Sequence, residues 1–137
     1  MDKEPTKEPA TEPGRVIGVG GIFFKSADQG RLHDWYREKL SLPAAAYGCE
    51  FKWRMHDQPG IEQRTAWCVF PASTTYFDPS RAPFMINYIV DDLDAILAKL
   101  ESAGVTIDPK REEYDYGRFA WIFDPDGNKI ELWEPRG

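Results

Sequence analysis

Hydrophobic residues recur along this chain with two periods, and the changes of period divide it into predicted strands and helices. Residues 16–25 are rich in Val, Ile, Phe and Gly and predict a strand. Asp28 follows as a helix N-cap, and Pro43 ends the next periodic segment. Helical spacing with charged residues between predicts an amphipathic helix over 29–40, with an apolar face of Leu32, Trp35, Tyr36 and Leu40.

Strands are predicted next over 44–55 and 64–70, around a turn containing Pro59-Gly60. A connection containing Pro and Ser spans 71–83. The same order of elements then starts again with a strand over 84–90.

In this second half, Asp91 is the expected N-cap of a helix that Gly104 ends. Three strands are predicted after it, over 105–107, 117–123 and 128–134. The turn Asp124-Pro125-Asp126-Gly127 joins the last two in a tight hairpin.

An offset of 64 residues relates the two halves. It places Ile22 on Ile86 and Leu32 on Ile96, and it also carries Pro71 onto Pro135. The identities are few, but one constant offset from the first strand to the last favours an internal duplication. We therefore predict an α+β fold in which both halves follow the order strand, helix, strand, strand, strand (βαβββ).

Composition sets the domain boundaries. Residues 1–15 repeat Lys-Glu-Pro and Thr-Glu-Pro units without a large apolar residue after Met1, which predicts a disordered leader. The remaining residues, 16–137, suffice for one domain, made of repeats 16–79 and 80–137.

The net charge of -6 argues against binding to nucleic acid or to an anionic membrane surface. The chain has no apolar run of membrane-spanning length and no secretion signal at its N-terminus, so we expect it to be cytoplasmic. Cys49 and Cys68 lie in apolar, strand-like surroundings and are interpreted as buried thiols.

A repeated βαβββ unit, the helix motif Trp35-Tyr36-Arg37-Glu38-Lys39-Leu40 and the final hairpin of residues 124–134 together resemble the vicinal oxygen chelate superfamily. Its members include glyoxalases, bleomycin-resistance proteins and extradiol dioxygenases. The resemblance implies two tandem modules forming a cupped mixed sheet with helices on the convex side, and frequently a homodimer. It does not specify a reaction, because the superfamily hosts isomerases, lyases, dioxygenases, epimerases and silent binding proteins.

The resemblance also implies four metal-ligand positions, which fall here on Gly21, Trp67, Met85 and Glu131. Of these, Glu131 alone suits a divalent ion, and a mononuclear site needs about three protein ligands. The only histidines, His33 and His56, are interpreted as a surface or helix-packing residue and an exposed turn residue. We therefore expect no metal and no other cofactor.

Strand alternation predicts which side chains face the cup, since residues i and i+2 share a face. These side chains are aromatic with two polar groups, which suits a flat or cationic organic ligand. A simple aromatic core is the alternative. Glycine at position 21 favours a pocket, because a missing side chain leaves room. The predicted lining is Phe23, Trp67, Met85, Asn87, Phe119, Trp121, Glu131 and Trp133.

Three polar residues are candidates for chemistry. Glu131 is a potential general base or cation anchor, or else a relic of the family's metal site. Tyr116 and Arg118 are placed at the pocket rim, where Arg118 would clamp an anion or pair with Glu113 or Asp115. Arg54 and Arg64, on the predicted strands of the first half, are weaker candidates of the same kind.

Three functions follow from these residues. The first is metal-free binding of a small organic molecule in an aromatic cup. The second is a lyase or isomerase that uses Glu131 as base, with or without a metal completed by another subunit. The third is a non-catalytic dimer scaffold.

Overall fold

A computed structural model of the chain describes residues 13–136. Most of the predicted leader therefore lies outside the described residues. Within them, neither helix is long and apolar enough to span a membrane. The elements in chain order are β1 (Val16–Ser26), α1 (Gln29–Leu40), β2 (Cys49–Arg54), β3 (Glu62–Pro71), β4 (Phe84–Val90), α2 (Leu93–Ser102), β5 (Thr106–Tyr114), β6 (Gly117–Phe123) and β7 (Lys129–Pro135).

The strands form one open mixed sheet of seven strands in the order β2-β3-β1-β4-β7-β6-β5. β1 and β4 pair antiparallel at its centre, and each has a parallel neighbour, β3 or β7. Ile22 lies directly opposite Ile86, so the 64-residue offset relates two paired residues across a local twofold axis. The α+β class and the two-helix mixed sheet are confirmed.

The first half has one strand fewer than we predicted. It runs strand, helix, strand, strand, and residues 44–48 contribute only an isolated bridge between Ala45 and Gly48. Three consecutive alanines carry little strand propensity. Gly48 adopts φ 101°, and a Cβ there would lie 2.1 Å from the carbonyl oxygen of Trp67, so the chain turns tightly against β3 instead of extending.

Aspartates begin both helices, but one of them is not the residue we expected. The Asp28 side chain accepts from the amide of Arg31 at the start of α1, as predicted. In α2 the N-cap is Asp92, which accepts from the amide of Ala95. Asp91 instead accepts from the amides of Gly14 and Arg15, and so fixes the end of the predicted leader to the sheet.

Both helices cover the same face of the sheet, with two different cores beneath them. Under α2 the core is aliphatic and includes Leu93, Ile96 and Leu132. Under α1 it is smaller and centred on Trp67. A third cluster lies on the opposite face and contains Phe23, Phe77, Met85 and Trp121.

Candidate functional site

The face opposite the helices encloses a cleft of about 750 Å³. One wall comes from β2, β3 and the turn between them, and the other from β6 and β7. Because both halves of the sheet contribute to one depression, this face is concave. Six predicted site residues line the cleft: Phe23, Asn87, Tyr116, Phe119, Glu131 and Trp133.

The second-half wall is aromatic. Phe119 and Trp133 face each other across the β6–β7 pair with parallel rings, their centroids 5.9 Å apart. Tyr116 meets the Phe119 ring edge-on and is 58% exposed at the mouth of the cleft. Its carbonyl oxygen accepts from the Trp133 indole at 3.3 Å. Flat, partly exposed rings of this kind offer a stacking surface to a ligand.

Two glycines make room for the Trp133 indole. A Cβ on Gly117 would lie 2.3 Å from Trp133 Nε1, and one on Gly20 would lie 3.0 Å from its Cε3. The Gly20 Cβ would also lie 2.3 Å from Asn87 Oδ1. Any side chain at either position would therefore displace the wall of the cleft.

Glu131 lies at the floor of the cleft and is only 3% exposed. It accepts hydrogen bonds from Asn87 Nδ2 at 2.6 Å, from Trp121 Nε1 at 3.0 Å and from the Tyr76 hydroxyl. Burial raises the pKa of Glu131, while these three donors and nearby Lys129 act in the opposite direction. The carboxyl is thus removed from water and held in one orientation.

Tyr76 was missed from the sequence. It belongs to the connection between the halves, and it enters the concave face together with Phe77, which is completely buried. The Tyr76 ring stacks on Phe70 with centroids 5.6 Å apart, and Lys129 Nζ donates to its carbonyl oxygen. Two adjacent aromatics in an otherwise polar connection were the available signal.

This connection covers two predicted site residues and so removes them from the open cleft. Met85 and Trp121 face the concave side as expected, but they are 0% and 2% exposed and pack with Phe77 and Tyr76. They therefore support the floor of the cup beneath the connection and do not line the open cleft.

Trp67 does not line the cup as we predicted. It packs on the helix side, with its ring centroid 4.8 Å from that of Tyr36, and does not face the cup. In the sheet, Ile22 pairs with Trp67, whereas Ile86 pairs with Ile130. The offset between the two outer strands is therefore 63 and not 64, and a shift of one residue reverses the face. Cys68, not Trp67, matches Glu131.

We expected Gly21 to leave open space in the cup, but it does not. The Cζ atom of Phe23 lies 2.6 Å from where a Cβ of Gly21 would be, so the Phe23 ring already fills that volume.

We also predicted Arg118 at the rim of the cleft, but its side chain does not reach the rim. Its guanidinium pairs with Asp94 of α2 at 3.0 Å and with Glu134 at 2.8 Å, on the helix side of the sheet. The alternation of the strand explains this position, since Arg118 lies between Gly117 and the inward-facing Phe119.

The donors around Glu131 do not fit the divalent metal that the family resemblance implies. Within residues 13–136, no group of three His, Cys, Asp or Glu side chains converges on one point. The neighbours of Glu131 are a phenol, an amide and an indole, all of which donate hydrogens to it. His33 is buried in α1 against Trp67, and His56 is exposed.

Fold and site together define an open mixed sheet of two related halves with a ligand-sized cleft on its concave face. The family model of the Glyoxalase/Bleomycin resistance protein/Dioxygenase superfamily matches residues 18–132, and the chain belongs to this superfamily. Among functionally curated proteins, no significant match was found.

Solved structures with the same fold include two methylmalonyl-CoA epimerases. The one from Mycobacterium tuberculosis is 20% identical over 89% of this chain and 90% of its own, with a TM-score of 0.57. A Streptomyces coelicolor epimerase variant in complex with 2-nitronate-propionyl-CoA is 13% identical over 90% of this chain and 100% of its own, with a TM-score of 0.63. At these identities the similarity concerns the fold alone.

Proposed function

We propose that this chain binds a flat organic molecule in the concave cleft without the help of a divalent metal. The observation that carries the proposal is the replacement of the metal donors. The family resemblance puts metal-ligand positions on Gly21, Met85 and Glu131 and, by the register of the sheet, on Cys68. Of these four, Cys68 and Glu131 carry side chains that suit a divalent metal, and Glu131 already accepts three hydrogen bonds. A mononuclear site needs about three protein ligands.

The charges around the cleft support a ligand without phosphate groups. The epimerase neighbours are named for a coenzyme A thioester, and such a ligand carries several phosphate charges. Among residues 13–136, the cationic side chains in the lining are Arg64 and Arg136. Arg64 is paired with Glu50 at 3.2 Å, and Arg136 is paired with Glu113. Both guanidiniums already have a carboxylate partner, which competes with an anionic ligand.

A second candidate function is a lyase or isomerase that uses Glu131 as general base. It is favoured by the position of this carboxyl at the floor of the cleft and by burial, which raises its pKa toward the range useful for proton transfer. In this reading the aromatic wall holds the substrate while Glu131 accepts a proton from it.

The metal part of the proposal is tested by elemental analysis of protein purified without chelator, followed by titration with zinc, nickel and iron. We expect less than stoichiometric metal and no change in ligand affinity. Stoichiometric metal that is lost in Glu131→Gln would overturn the metal-free site.

The binding part is tested with a panel of aromatic metabolites, using the melting temperature to detect binding and calorimetry to measure affinity. Trp133→Leu should weaken any ligand found by about tenfold or more, because it removes a stacking face. Trp35→Leu, on the exposed side of α1, is the matched control and should change nothing. A panel without any binder would favour the non-catalytic scaffold.

Glu131→Gln separates binding from catalysis. If the chain is a binding protein, the variant keeps its fold and its ligand. If the chain is a lyase or isomerase, turnover of the bound compound is abolished while binding persists, and the second function replaces the first.

A further inference from the structure

The two edge strands of the sheet differ in how well they are protected against a further strand. β5 ends the second half of the sheet, and its pairing with β6 is interrupted between Ile107 and Arg111, around Pro109. β2 ends the first half and pairs with β3 at six consecutive positions, without a bulge or a proline. A regular edge of this kind presents unpaired N–H and C=O groups at every second residue. β2 is therefore the edge that can accept another strand.

The first half also lacks the strand that β5 provides in the second half. Its part of the sheet contains β2, β3 and β1, whereas the second half contains β4, β7, β6 and β5. Residues 44–48 precede β2 as β5 precedes β6, but they form only the Ala45–Gly48 bridge. Within residues 13–136, β2 pairs with β3 and with no other strand. The outer edge of β2 is thus where the second half carries one strand more.

The exposed side chains of β2 complement a second copy of the same strand. When two copies run antiparallel and are centred on Phe51, Glu50 of each copy lies opposite Lys52 of the other copy. Glu50 and Lys52 share the concave face, because Glu50 lines the cleft and strand residues alternate. Phe51 is 43% exposed on the convex face and meets its own counterpart. One twofold axis therefore forms two charge pairs and one aromatic pair.

Lys52 gains from this arrangement a carboxylate that its own chain does not supply. Its neighbour across the β2–β3 pair is Arg64, which carries the same charge. Among residues 13–136, no carboxylate lies within salt-bridge distance of Lys52. Glu50 of a second copy supplies the missing opposite charge.

Apolar side chains at the two ends of β2 fit the same arrangement. Tyr47 lies two residues before β2 and is 79% exposed. Ile61 lies at the other end of the β2–β3 hairpin and is 44% exposed. In an antiparallel pair, the beginning of one β2 lies beside the end of the other, so Tyr47 of each copy approaches Ile61 of the other. A twofold interface requires such self-complementarity.

We propose that the chain forms a dimer in which β2 adds to β2 of a second copy, antiparallel and centred on Phe51. The sheet then continues through both copies, and the first-half wall of each cleft gains a fourth strand. Because Glu50 lines the cleft, Lys52 of the second copy is placed beside the lining and extends the wall. The proposal does not depend on which ligand the cleft binds.

Sedimentation equilibrium of the full-length protein measures the association, and charge variants locate it. We expect dimers at concentrations of about 100 µM, since an interface of this size belongs to the weaker class. Lys52→Glu places like charges opposite each other twice, so the dissociation constant of the dimer should rise about tenfold. The exchange Glu50→Lys/Lys52→Glu should restore it. Lys110→Glu, on the other edge strand, is the matched control and should leave it unchanged.

A disulfide tests the register of the pair. In Phe51→Cys the two introduced thiols face each other across the twofold axis, and directly opposite residues in an antiparallel pair have a separation that suits a disulfide. We expect mild oxidation to give a covalent dimer. Lys52→Cys, one residue further along β2, is the matched control and should cross-link poorly, and the wild type should not cross-link.

Two outcomes would overturn the proposal. A chain that stays monomeric at millimolar concentration keeps β2 as a solvent-exposed edge. A dimer that is unchanged in Lys52→Glu and does not cross-link in Phe51→Cys is formed by another surface.

Discussion

Cys68 in β3 and Glu131 in β7 occupy matching positions in the two halves of the sheet. Phe23 pairs with Cys68 and Asn87 pairs with Glu131, and the two inner residues are 64 apart. Burial raises the pKa of both groups, so the thiol is neutral at physiological pH, whereas the carboxyl accepts hydrogen bonds from three donors that oppose the effect of burial. Matching positions in the two halves thus carry different chemistry.

The two helices also differ at matching positions, in the residues that they bury. α2 buries Leu93, Ile96 and Leu97, whereas the one fully buried residue of α1 is His33. The 64-residue offset matches His33 in α1 with Leu97 in α2. The Nε2 atom of His33 is buried without a hydrogen-bond partner among the described residues. The second half therefore buries more apolar side chains between its helix and the sheet than the first half does.

The largest expected effect concerns these helix cores. Ile96→Ala should lower the free energy of unfolding by about 2–4 kcal/mol, because Ile96 is 6% exposed in a closely packed aliphatic cluster. Leu32→Ala, at the matching position of α1, should cost about 1–2 kcal/mol, since Leu32 is only partly buried. Urea unfolding of both variants measures the difference, and equal losses would contradict the asymmetry.

The next effect concerns the reactivity of the first-half thiol. Burial, followed by the neighbouring Cys49 and Glu131, raises the pKa of Cys68 from 9.0 to about 11. The thiolate is the nucleophile, so a shift of this size should slow alkylation by iodoacetamide at neutral pH about a hundredfold relative to an unperturbed thiol. The rate is measured in the wild type by mass spectrometry of the peptide that contains Cys68, because replacing Cys49 would remove one cause of the shift. Alkylation at the rate of a free cysteine in the folded state would contradict the raised pKa of the half-buried Cys68.

The smallest effect is the pH dependence of Glu131. Its pKa is raised in the folded chain above the usual 4.5, so the folded state binds the proton more tightly than the unfolded state. This contribution to stability is fully present below about pH 4.5 and is lost as the pH rises through the folded pKa. The stability of the wild type relative to Glu131→Gln should therefore decrease as the pH rises from 4.5 to 8.

Measuring this difference isolates Glu131. Five other carboxyls have lowered pKa values and lose their stabilising contribution as the pH falls, but they are present in both proteins and cancel. A difference in unfolding free energy that does not vary with pH would contradict a perturbed Glu131. The five are Asp91, Asp94, Glu112, Glu113 and Asp124.

Much of the concave face could be predicted from strand alternation alone. Phe23, Asn87, Phe119, Glu131 and Trp133 lie on the expected face, because alternation within one strand depends only on where that strand begins and on its apolar positions. Their role as ligand contacts stays a prediction. The error at Trp67 arose between strands, where the register of pairing decides the face and the sequence repeat was one residue out of step.

The sequence by itself determined the α+β class, the order of the two helices and the local twofold repeat. These features depend on local periodicity, on capping residues and on residue identity at aligned positions. Only the tertiary structure decided that Cys68 matches Glu131, that Arg118 pairs with Asp94 across to α2, and that Tyr76 reaches from the connection to Glu131. Those contacts join residues distant in the chain, and they form because buried polar groups must find partners wherever the folded sheet brings them.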